Sequence, residues 1–316
     1  MKTIAIAASL LLLGSCAPEA RPPLRLAASV WPGYEGLYLA RDLGYFDEHR
    51  VVCFELPTSS IAFEAFRNGS IDVTAVSLNE YFELLRGGAR AKIIAVLDRS
   101  NGGDAAMVTP AVHSLTDLRG KRVVLPNFSF VGNLVLGHLL DEAHLQRADI
   151  ALTITPEDRF DEIYRQHQGD VFITFEPHKS RLAALGAHVL YDSSRFPDEI
   201  VDVLVARDAV AEERREEVCD LARQWFRALE YIRRDGEDAY VRMGRRNGQS
   251  ARQFHQVMNG LDLLSREDNL AMLAGSHPRI LESAKSINQF MLREKYWSAP
   301  VDLAPSLLAG TRECLG

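Results

Sequence analysis

An alternation of apolar runs with helical patterns is the feature that most limits the folds open to this sequence. The runs LRLAASVW, VVCFELP and DVTAVS are followed by the amphipathic stretches YEGLYLARDLGYF, IAFEAFRNG and EYFELLRGG. KRVVLP, IALTITP and DVFITF continue the rhythm in the second half. Strands that alternate with helices of this length form right-handed βαβ units around parallel sheets. The sequence therefore predicts an α/β fold.

The two halves of this α/β pattern also resemble each other. RNGSIDVTAVSLNEYFELLRGGA aligns with RQHQGDVFITFEPHKSRLAALGA at a constant offset of 98 residues, so that Asp72 matches Asp170 and Gly88 matches Gly186. In each copy an Asp opens a buried strand and the next helix ends at a glycine. Two unrelated βαβ units could also show so short a similarity by convergence. The similarity nevertheless suggests two similar lobes.

The pattern becomes purely helical from about Asp208 onward. Apolar residues there recur at helical spacing, as Val218, Leu221, Trp225 and Leu229 do. Such a stripe is typical of core packing. We interpret this part of the chain as a helical layer over the first lobe.

The N-terminus predicts export. Lys2 leads into an apolar stretch, Ile4 to Leu13, which is too short to span a bilayer. It ends in LGSC, which resembles the bacterial lipoprotein cleavage box, so Cys16 is predicted to become the lipidated mature N-terminus. The alternative is an ordinary secretory signal cut nearby. We expect a signal peptide at residues 1–15 and a tether at 16–23.

Charge and cysteines exclude some roles. The formal net charge is −7 and there is no Lys/Arg run with interleaved aromatics, which argues against a nucleic-acid partner. After cleavage before Cys16, Cys53, Cys219 and Cys314 also remain, so these three form at most one disulfide and its pairing stays open. Cys53 and Cys219 are interpreted as buried small hydrophobes.

Strand ends supply the candidate site. In open parallel sheets the carboxyl ends of the strands face a crevice, where the next helix begins with unpaired N–H groups. In DVFITFEPH, Pro177 suits the first helical turn, which leaves Phe175 and Glu176 at the rim. A helix-capping role for Glu176 is the alternative.

Equivalent strand ends carry similar groups. They are the segments Val30–Glu35, Ser77–Glu80 and Pro126–Phe130, which present Trp31, Tyr34, Glu35, Asn79, Ser129 and Phe130. The segment from Asp98 to Asp104 reads as a crossing between the lobes. Its Gly102 and Gly103 serve either as a hinge or as a simple turn.

No enzyme motif accompanies these residues. G-x-S-x-G, G-x-G-x-x-G and Walker sequences are absent, and the nine histidines lack H-x-H or H-x-x-x-H spacing. His138 and His178 are interpreted as packed or solvated residues. We expect a protein without catalytic residues, cofactor or metal.

Six stretches, taken together, resemble a known family, the periplasmic substrate-binding proteins of ABC importers for nitrate, alkanesulfonates and taurine, which include binders of the thiamine pyrimidine precursor. From Leu24 to Val210 these stretches are, in order, WPGYEGLYLARDLGYF, GSIDVTAVSLNE, AVLDRSNGGDAAMV, SLTDLRGKRVVLP, VFITFEPH and IVDVLVARDAV. The resemblance implies a type II periplasmic-binding-protein fold of two α/β lobes that close on a ligand. Residues 24–103 with 206–316 would form lobe I, and 104–205 lobe II.

The resemblance also implies which residues contribute to the pocket. Carried over position by position they are Trp31, Tyr34, Asn79, Asn101, Asp104, Ser129, Phe175, Glu176 and Asp202, to which Glu35 and Phe130 are added from the strand ends. The implied partners are a small-molecule ligand, an ABC permease and, through the N-terminal lipid, the membrane. We expect a monomer in the periplasm or another extracytoplasmic space.

Acidic residues on these segments bear on the ligand. Four lie on candidate cleft segments: Glu35, Asp104, Glu176 and Asp202. Unit charges ~4 Å apart at an effective dielectric near 20 interact by ~4 kcal/mol, so they would repel a bare anion. We therefore favour a zwitterion such as taurine, or an amine such as an aminopyrimidine, over nitrate. The alternative is that the carboxylates cap helices or pair with Arg99 and Arg207.

Two other functions stay open. A binding protein of this shape can present its closed form to a membrane sensor instead of a permease. The same fold family includes fungal thiamine-pyrimidine synthases with a cysteine-rich iron site, which three isolated cysteines do not reproduce.

Overall fold

The computed structural model describes residues 21–127 and 129–316. The predicted signal peptide (1–15), the predicted lipidation site Cys16 and most of the predicted tether (16–23) lie outside the described residues. Within the described ranges, no helix is both long and apolar enough to cross a membrane.

The strands match the predicted apolar runs. In chain order they are β1 (Leu24–Ser29), β2 (Val51–Leu56), β3 (Val73–Ser77), β4 (Ala91–Ser100), β5 (Asp104–Val108), β6 (Arg122–Pro126), β7 (Ala151–Thr155), β8 (Val171–Phe175), β9 (His188–Asp192), β10 (Val201–Arg207) and β11 (Leu261–Leu263).

Helices follow most of these strands and dominate the C-terminal third. They are α1 (Glu35–Asp42), α2 (Ser59–Arg67), α3 (Leu78–Arg86), α4 (Phe130–Glu142), α5 (Phe160–Arg165), α6 (His178–Ala184), α7 (Asp208–Glu213), α8 (Arg215–Arg234), α9 (Gly236–Arg246), α10 (Ala251–Met258), α11 (Arg266–Leu273), α12 (Ile280–Arg293) and α13 (Thr311–Leu315).

Two mixed, parallel-rich sheets organise the part of the chain that the structure describes. The first has the strand order β11-β4-β10-β3-β1-β2, and the second β7-β6-β8-β5-β9. In each, three neighbouring strands are parallel and a strand from the crossing between the sheets joins them antiparallel. The strands β3 and β5 are buried throughout, which explains their continuous apolar sequences. The predicted α/β fold is confirmed.

The two sheets share one topology. Without β11, the first reads β4-β10-β3-β1-β2 and the second β9-β5-β8-β6-β7, so each strand of one has a counterpart in the other. Each sheet receives its antiparallel strand from the chain segment that follows a strand of the other sheet. Strand β5 follows β4 of the first sheet but joins the second, and β10 follows β9 of the second sheet but joins the first. The predicted boundary at residue 205 therefore falls inside β10, a strand of the first sheet, because the sequence pattern shows a strand but not its partners. The division into lobes stays a prediction.

Matching ion pairs support the internal repeat. Arg25 donates its backbone N–H and guanidinium to both carboxylate oxygens of Asp72, at 2.6 to 2.9 Å. Arg122 does the same with Asp170, at 2.7 to 3.0 Å. Each pair joins the start of one strand to the residue before its parallel neighbour, so the same contact sets the register in both sheets.

The sequence predicts that the C-terminal helices form a layer over the first lobe, but one of them also packs against the second half. Helix α12 packs against α4 of the second half, where a Cβ at Gly137 would lie 2.4 Å from Phe290. Arg293 donates to Asp141 at 2.6 Å. Just beyond α12, the ring of Trp297 packs on Phe82 of α3, with centroids 5.6 Å apart. This segment thus contacts helices of both halves, a placement that helical periodicity does not predict because it identifies an apolar face but not what that face packs against.

A disulfide joins the two ends of the helical region. Cys219 in α8 is bonded to Cys314 in α13, with Cα atoms 4.9 Å apart and a separation of 95 positions in the sequence. Cys219 is buried, as interpreted, but it forms half of a disulfide because α13 returns to α8. Cys53 is a free thiol.

Reduction of this bond should lower stability. A crosslink that closes so long a loop restricts the unfolded chain, and its loss typically costs about 2–5 kcal/mol. We expect the Cys219→Ala/Cys314→Ala double variant and the reduced protein to show equally lowered urea midpoints, whereas Cys53→Ala should leave the effect of reduction intact. An unfolding midpoint that dithiothreitol does not move would contradict the assignment.

Candidate functional site

A cavity of about 550 Å³ lies where the strand ends of the two sheets meet. The first sheet and its helices contribute Ser29, Val30, Trp31, Tyr34, Pro57, Thr58, Ser59, Ser60, Ser77, Glu80, Ile200 and Asp202. The second contributes Asp104, Asn127, Ser129, Phe130, Val131, Pro156, Glu157, Phe175, Pro177, His178 and Arg181. These residues follow the parallel strands or open the antiparallel ones, so both sheets present equivalent edges. We call this space the cleft cavity.

Most of the residues predicted from the sequence line the cleft cavity. They are Trp31, Tyr34, Asp104, Ser129, Phe130, Phe175 and Asp202. The rings of Trp31 and Phe175 meet edge to face, with centroids 6.2 Å apart, so an aromatic contact joins the two halves of the lining. Whether these residues bind a ligand stays a prediction.

Glu35 and Asn101 lie elsewhere. The Glu35 carboxylate pairs with Arg246 of α9 at 3.0 Å, since α1 runs away from the strand end and carries it to the helical layer. Asn101 is exposed and donates to Asp262 at 3.4 Å. Neither residue is part of the cavity lining, and the prediction for both is corrected.

Glu176 and Asn79 are buried beside the lining rather than in it. Glu176 accepts a hydrogen bond from the backbone N–H of Ser180 at 3.2 Å and lies 3.9 Å from Lys179, so the capping alternative describes it. Pro177, which follows a cis peptide bond, takes its place in the lining. Asn79 is fully buried, and neither polar atom of its side chain has a hydrogen-bond partner among the described residues.

The arginines proposed as alternative partners are engaged elsewhere. Arg99 pairs with Asp198 at 2.5 Å, and Arg207 donates to the carbonyl of Phe66 at 2.7 Å. Asp104 and Asp202 therefore keep the position in the cleft cavity that the sequence predicted for them.

Three buried aspartates meet at one end of the cleft cavity, and we call them the acidic cluster: Asp98, Asp104 and Asp202. Asp98 and Asp202 are opposite each other in the pairing of β4 with β10. Trp31 donates its indole N–H to Asp98 Oδ1 at 3.2 Å, while Asp98 Oδ2 has no partner among the described residues. A Cβ at Gly33 would lie 2.1 Å from that oxygen, so only glycine leaves room for it.

Burial dominates the electrostatics of the acidic cluster. It raises the pKa of Asp98 to about 8 and that of Asp104 to about 7, because a charged carboxylate loses its hydration there. The pKa of Asp202 is also raised well above its ordinary value, first by burial and then by the negative charges of Asp98, Glu80 and Asp104. Lys179 lowers the pKa of Asp104, but its amine is bound to the Gly102 carbonyl at 2.6 Å.

Positive and donor groups line another part of the cleft cavity. Ser129 caps α4 by accepting from the N–H of Gly132 at 2.8 Å, so the start of that helix opens on the cavity. Arg181 lines it as well. Burial lowers the pKa of the neighbouring His178, and the charge of Arg181 adds to the effect. The cavity thus offers carboxylates and positive groups to one ligand.

Sequence reasoning missed several of these residues. Asp98 was assigned to a crossing segment, although it ends the apolar run AKIIAVL, and only the pairing of β4 with β10 places it opposite Asp202. Glu80 had a visible signal, since Ser77 and Glu80 form a capping box. His178 was interpreted as packed or solvated, whereas it lines the cavity; His138 is packed, with its ring stacked 4.3 Å from Phe196.

Metal ligation does not suit the described residues. Among them, no three His, Cys, Asp or Glu side chains are grouped closely enough to hold one ion.

Comparison with known proteins identifies similar chains. A family model described as the NMT1-like family matches residues 17–242. No curated protein sequence matches. Among solved structures, the periplasmic aliphatic sulphonate binding protein SsuA from Escherichia coli is 18% identical, with a TM-score of 0.75 over 91% of this chain and 92% of that one.

Two further structures show the range of this fold. The alkanesulfonate-binding protein SsuA from Xanthomonas axonopodis pv. citri, bound to MOPS, is 16% identical, with a TM-score of 0.71 over 93% of this chain and 98% of that one. The desulfurization enzyme DSZB is also 16% identical, with a TM-score of 0.65 over 92% and 99%. These similarities establish the fold, which the sulfonate-binding proteins that the sequence resembles share.

The acidic cluster should make the stability of the empty protein depend on pH. Because its carboxyl groups have higher pKa values in the folded than in the unfolded chain, the folded chain binds more protons between about pH 4 and pH 8, and the free energy of unfolding falls as pH rises through this range. We expect a loss on the order of a few kcal/mol. Urea denaturation at pH 5, 6, 7 and 8 measures it.

Neutral variants test the source of this slope. Asp104→Asn should flatten the pH dependence and stabilise the protein at pH 8, whereas Glu237→Gln, at an exposed position of α9, should do neither. A wild-type free energy of unfolding that rises from pH 5 to pH 8 would show that the cluster is already ionised and compensated.

Proposed function

The chain belongs to the NMT1-like family, and on that premise we propose that it is an extracytoplasmic solute-binding protein that takes a small polar organic ligand into the cleft cavity and delivers it to an ABC importer. The observation that carries the proposal is the cleft cavity itself, which two sheets of the same topology line with equivalent strand ends. A site divided between two such halves closes when they approach each other.

The crossings between the sheets support closure. Asn101 and Gly103 donate their backbone N–H groups to the carbonyl of Gly260, at 2.8 and 2.9 Å, and Gly102 donates to Ser193 at 2.7 Å. Gly102 has a φ of 105°, which favours glycine. A hinge motion at this crossing would rotate the backbone of Gly102 and break its hydrogen bond to Ser193.

The lining favours a zwitterion or an amine. A bare anion such as nitrate could meet Arg181 and the start of α4 but not the acidic cluster. A taurine-like zwitterion would satisfy both, and an aminopyrimidine would satisfy the acidic cluster while its ring contacts Trp31 and Phe175. The relatives whose names mention sulphonates are consistent with the first choice.

The proposed place of action follows from the N-terminal signal. Lipidation of Cys16 would hold the protein at the outer face of a membrane, where a permease could receive the ligand. Crosslinking in cells would identify that permease, and recovery of a membrane sensor instead would assign the protein to signalling.

Binding can be tested by thermal shift. The purified protein would be screened against taurine, alkanesulfonates, nitrate, aminopyrimidines and small amines. A ligand present at about 100 times its dissociation constant adds ~2.7 kcal/mol of stability, which raises the unfolding temperature by several degrees. We expect taurine or an amine to do so and nitrate to have no effect. Turnover of a ligand by the purified protein would instead favour an enzyme such as the one that shares this fold.

The aromatic contact offers a matched pair of variants. Phe175→Ala removes one aromatic wall of the cleft cavity and should weaken binding of the screened ligand roughly 10-fold, since a contact with an aromatic ring contributes about 0.5–1.5 kcal/mol. Val241→Ala, at an exposed apolar position of α9, should leave the dissociation constant unchanged. Equal affinities for both variants would place the ligand outside the cleft cavity.

A further inference from the structure

The acidic cluster is more than a lining of negative charge, because its carboxylates are buried without matching cations. Resting on the proposed solute-binding function, we propose that the ligand carries a protonated amine or amidine, that this group binds between Asp104 and Asp202, and that its entry expels protons held by the acidic cluster. The protein would then select organic cations and zwitterions by exchanging them for protons.

Asp104 supplies the observation that points to a ligand. It is 5% exposed and lines the cleft cavity, and its Oδ2 atom has no hydrogen-bond partner among the described residues. Its backbone N–H donates to Ser100 Oγ at 3.1 Å, which fixes the residue at the start of β5. A buried carboxylate oxygen without a partner is destabilising unless it is protonated or meets a donor, so this atom is suited to an N–H group from a ligand.

Asp202 and Asp98 extend the same site. Asp202 is 4% exposed, lines the cleft cavity and belongs to β10, the strand exchanged into the first sheet. Asp98 lies opposite Asp202 in the sheet and is not part of the cavity lining. Its carboxylate accepts a hydrogen bond from the indole N–H of Trp31, and Trp31 does line the cavity. Asp98 therefore acts as a positioning residue, since it orients Trp31 beside the site.

The charged and titratable groups that act most strongly on the acidic cluster leave it short of positive charge. Those that act on its members are Tyr34, Glu80, Glu176, Lys179 and Asp262. Lys179 alone among these carries positive charge, and Gly102 and Glu176 already occupy its amine. The Glu80 carboxylate is bound by the N–H and hydroxyl of Ser77. An incoming cation is therefore the missing partner.

The acidic cluster suits an organic ammonium or amidinium group. No three acidic or other ligating side chains among the described residues converge on one point. An ammonium or amidinium group has several N–H donors that reach separate carboxylates and needs no such convergence.

Proton release follows from the empty state. At pH 7 a carboxyl group with a pKa of about 7 is half protonated, and one with a pKa of about 8 is mostly protonated. A cation bound beside them favours the charged form of both, so their protons pass to the solvent. We expect roughly one proton to be released for each ligand bound at pH 7.

Calorimetry on the purified chain tests both parts of the proposal. Titrations at pH 7 in phosphate and in Tris, which differ in ionisation enthalpy, would give the number of protons released. The probes are two matched pairs, taurine with isethionate, in which a hydroxyl replaces the amine, and benzylamine with benzyl alcohol. We expect at least one amine to bind roughly 30-fold more tightly than its partner and to release protons.

Variants connect the effect to the acidic cluster. Asp104→Asn and Asp202→Asn should each weaken the amine roughly 30-fold and reduce proton release, while Glu237→Gln changes neither. Asp98→Asn should reduce proton release with a smaller loss of affinity, since Asp98 does not line the cavity. Circular dichroism and unfolding temperature would verify that each variant is folded.

Each remaining outcome overturns the proposal in a recognisable way. Taurine and isethionate binding equally, with no effect of Asp104→Asn, would mean that the carboxylates do not contact the ligand, although solute binding would stand. Amine binding without proton release would refute the exchange. Saturable binding of Ca²⁺ in place of the amines would make the acidic cluster a metal site, and binding of none of the probes would refute the proposed cation specificity while sulfonates and nitrate still test solute binding.

Discussion

Burial of several carboxylates at one point between two sheets is the constraint around which the rest of this structure is arranged. A carboxylate that loses its hydration is stable only if it is protonated or meets donors. The protein meets this requirement locally for Glu80 and Glu176, through helix N–H groups, and for Glu35, through Arg246. For Asp104 and Asp98 it leaves one oxygen each without a partner in the described chain. These two oxygens lie at or beside the cleft cavity, where a hydrogen-bond donor from a ligand can reach them.

The sequence predicted the fold well because periodicity and strand length are local properties. Apolar runs such as VVCFEL and DVFITF became strands of the expected extent, and the offset between Asp72 and Asp170 corresponds to the same ion pair in each sheet. Strand partners were less accessible. The position of β10 between β3 and β4, and of α12 against α4, depends on contacts between residues far apart in the chain.

The same division explains which site residues were predicted. Trp31, Phe175 and Ser129 follow strand ends directly, so a rule about parallel sheets located them. Glu35 and Asn101 also follow strand ends in the sequence. However, the turn of α1 carries Glu35 to Arg246, and Asn101 is hydrogen-bonded to the acidic side chain of Asp262. Asp98 was misassigned because its importance comes from its neighbour across the sheet, Asp202. Cross-strand pairing is not visible in one strand's sequence.

The exchanged strand has a consequence for how the chain acquires its structure. The second sheet is built from residues 104–192, a continuous stretch, whereas the central strand of the first sheet begins only at Val201. Contacts between distant segments form more slowly than local ones, because a long loop must close first. The first half of the chain therefore reaches its native sheet last, although it is synthesised first. Until then β3 and β4 expose unpaired edges, the kind of surface on which newly made chains aggregate.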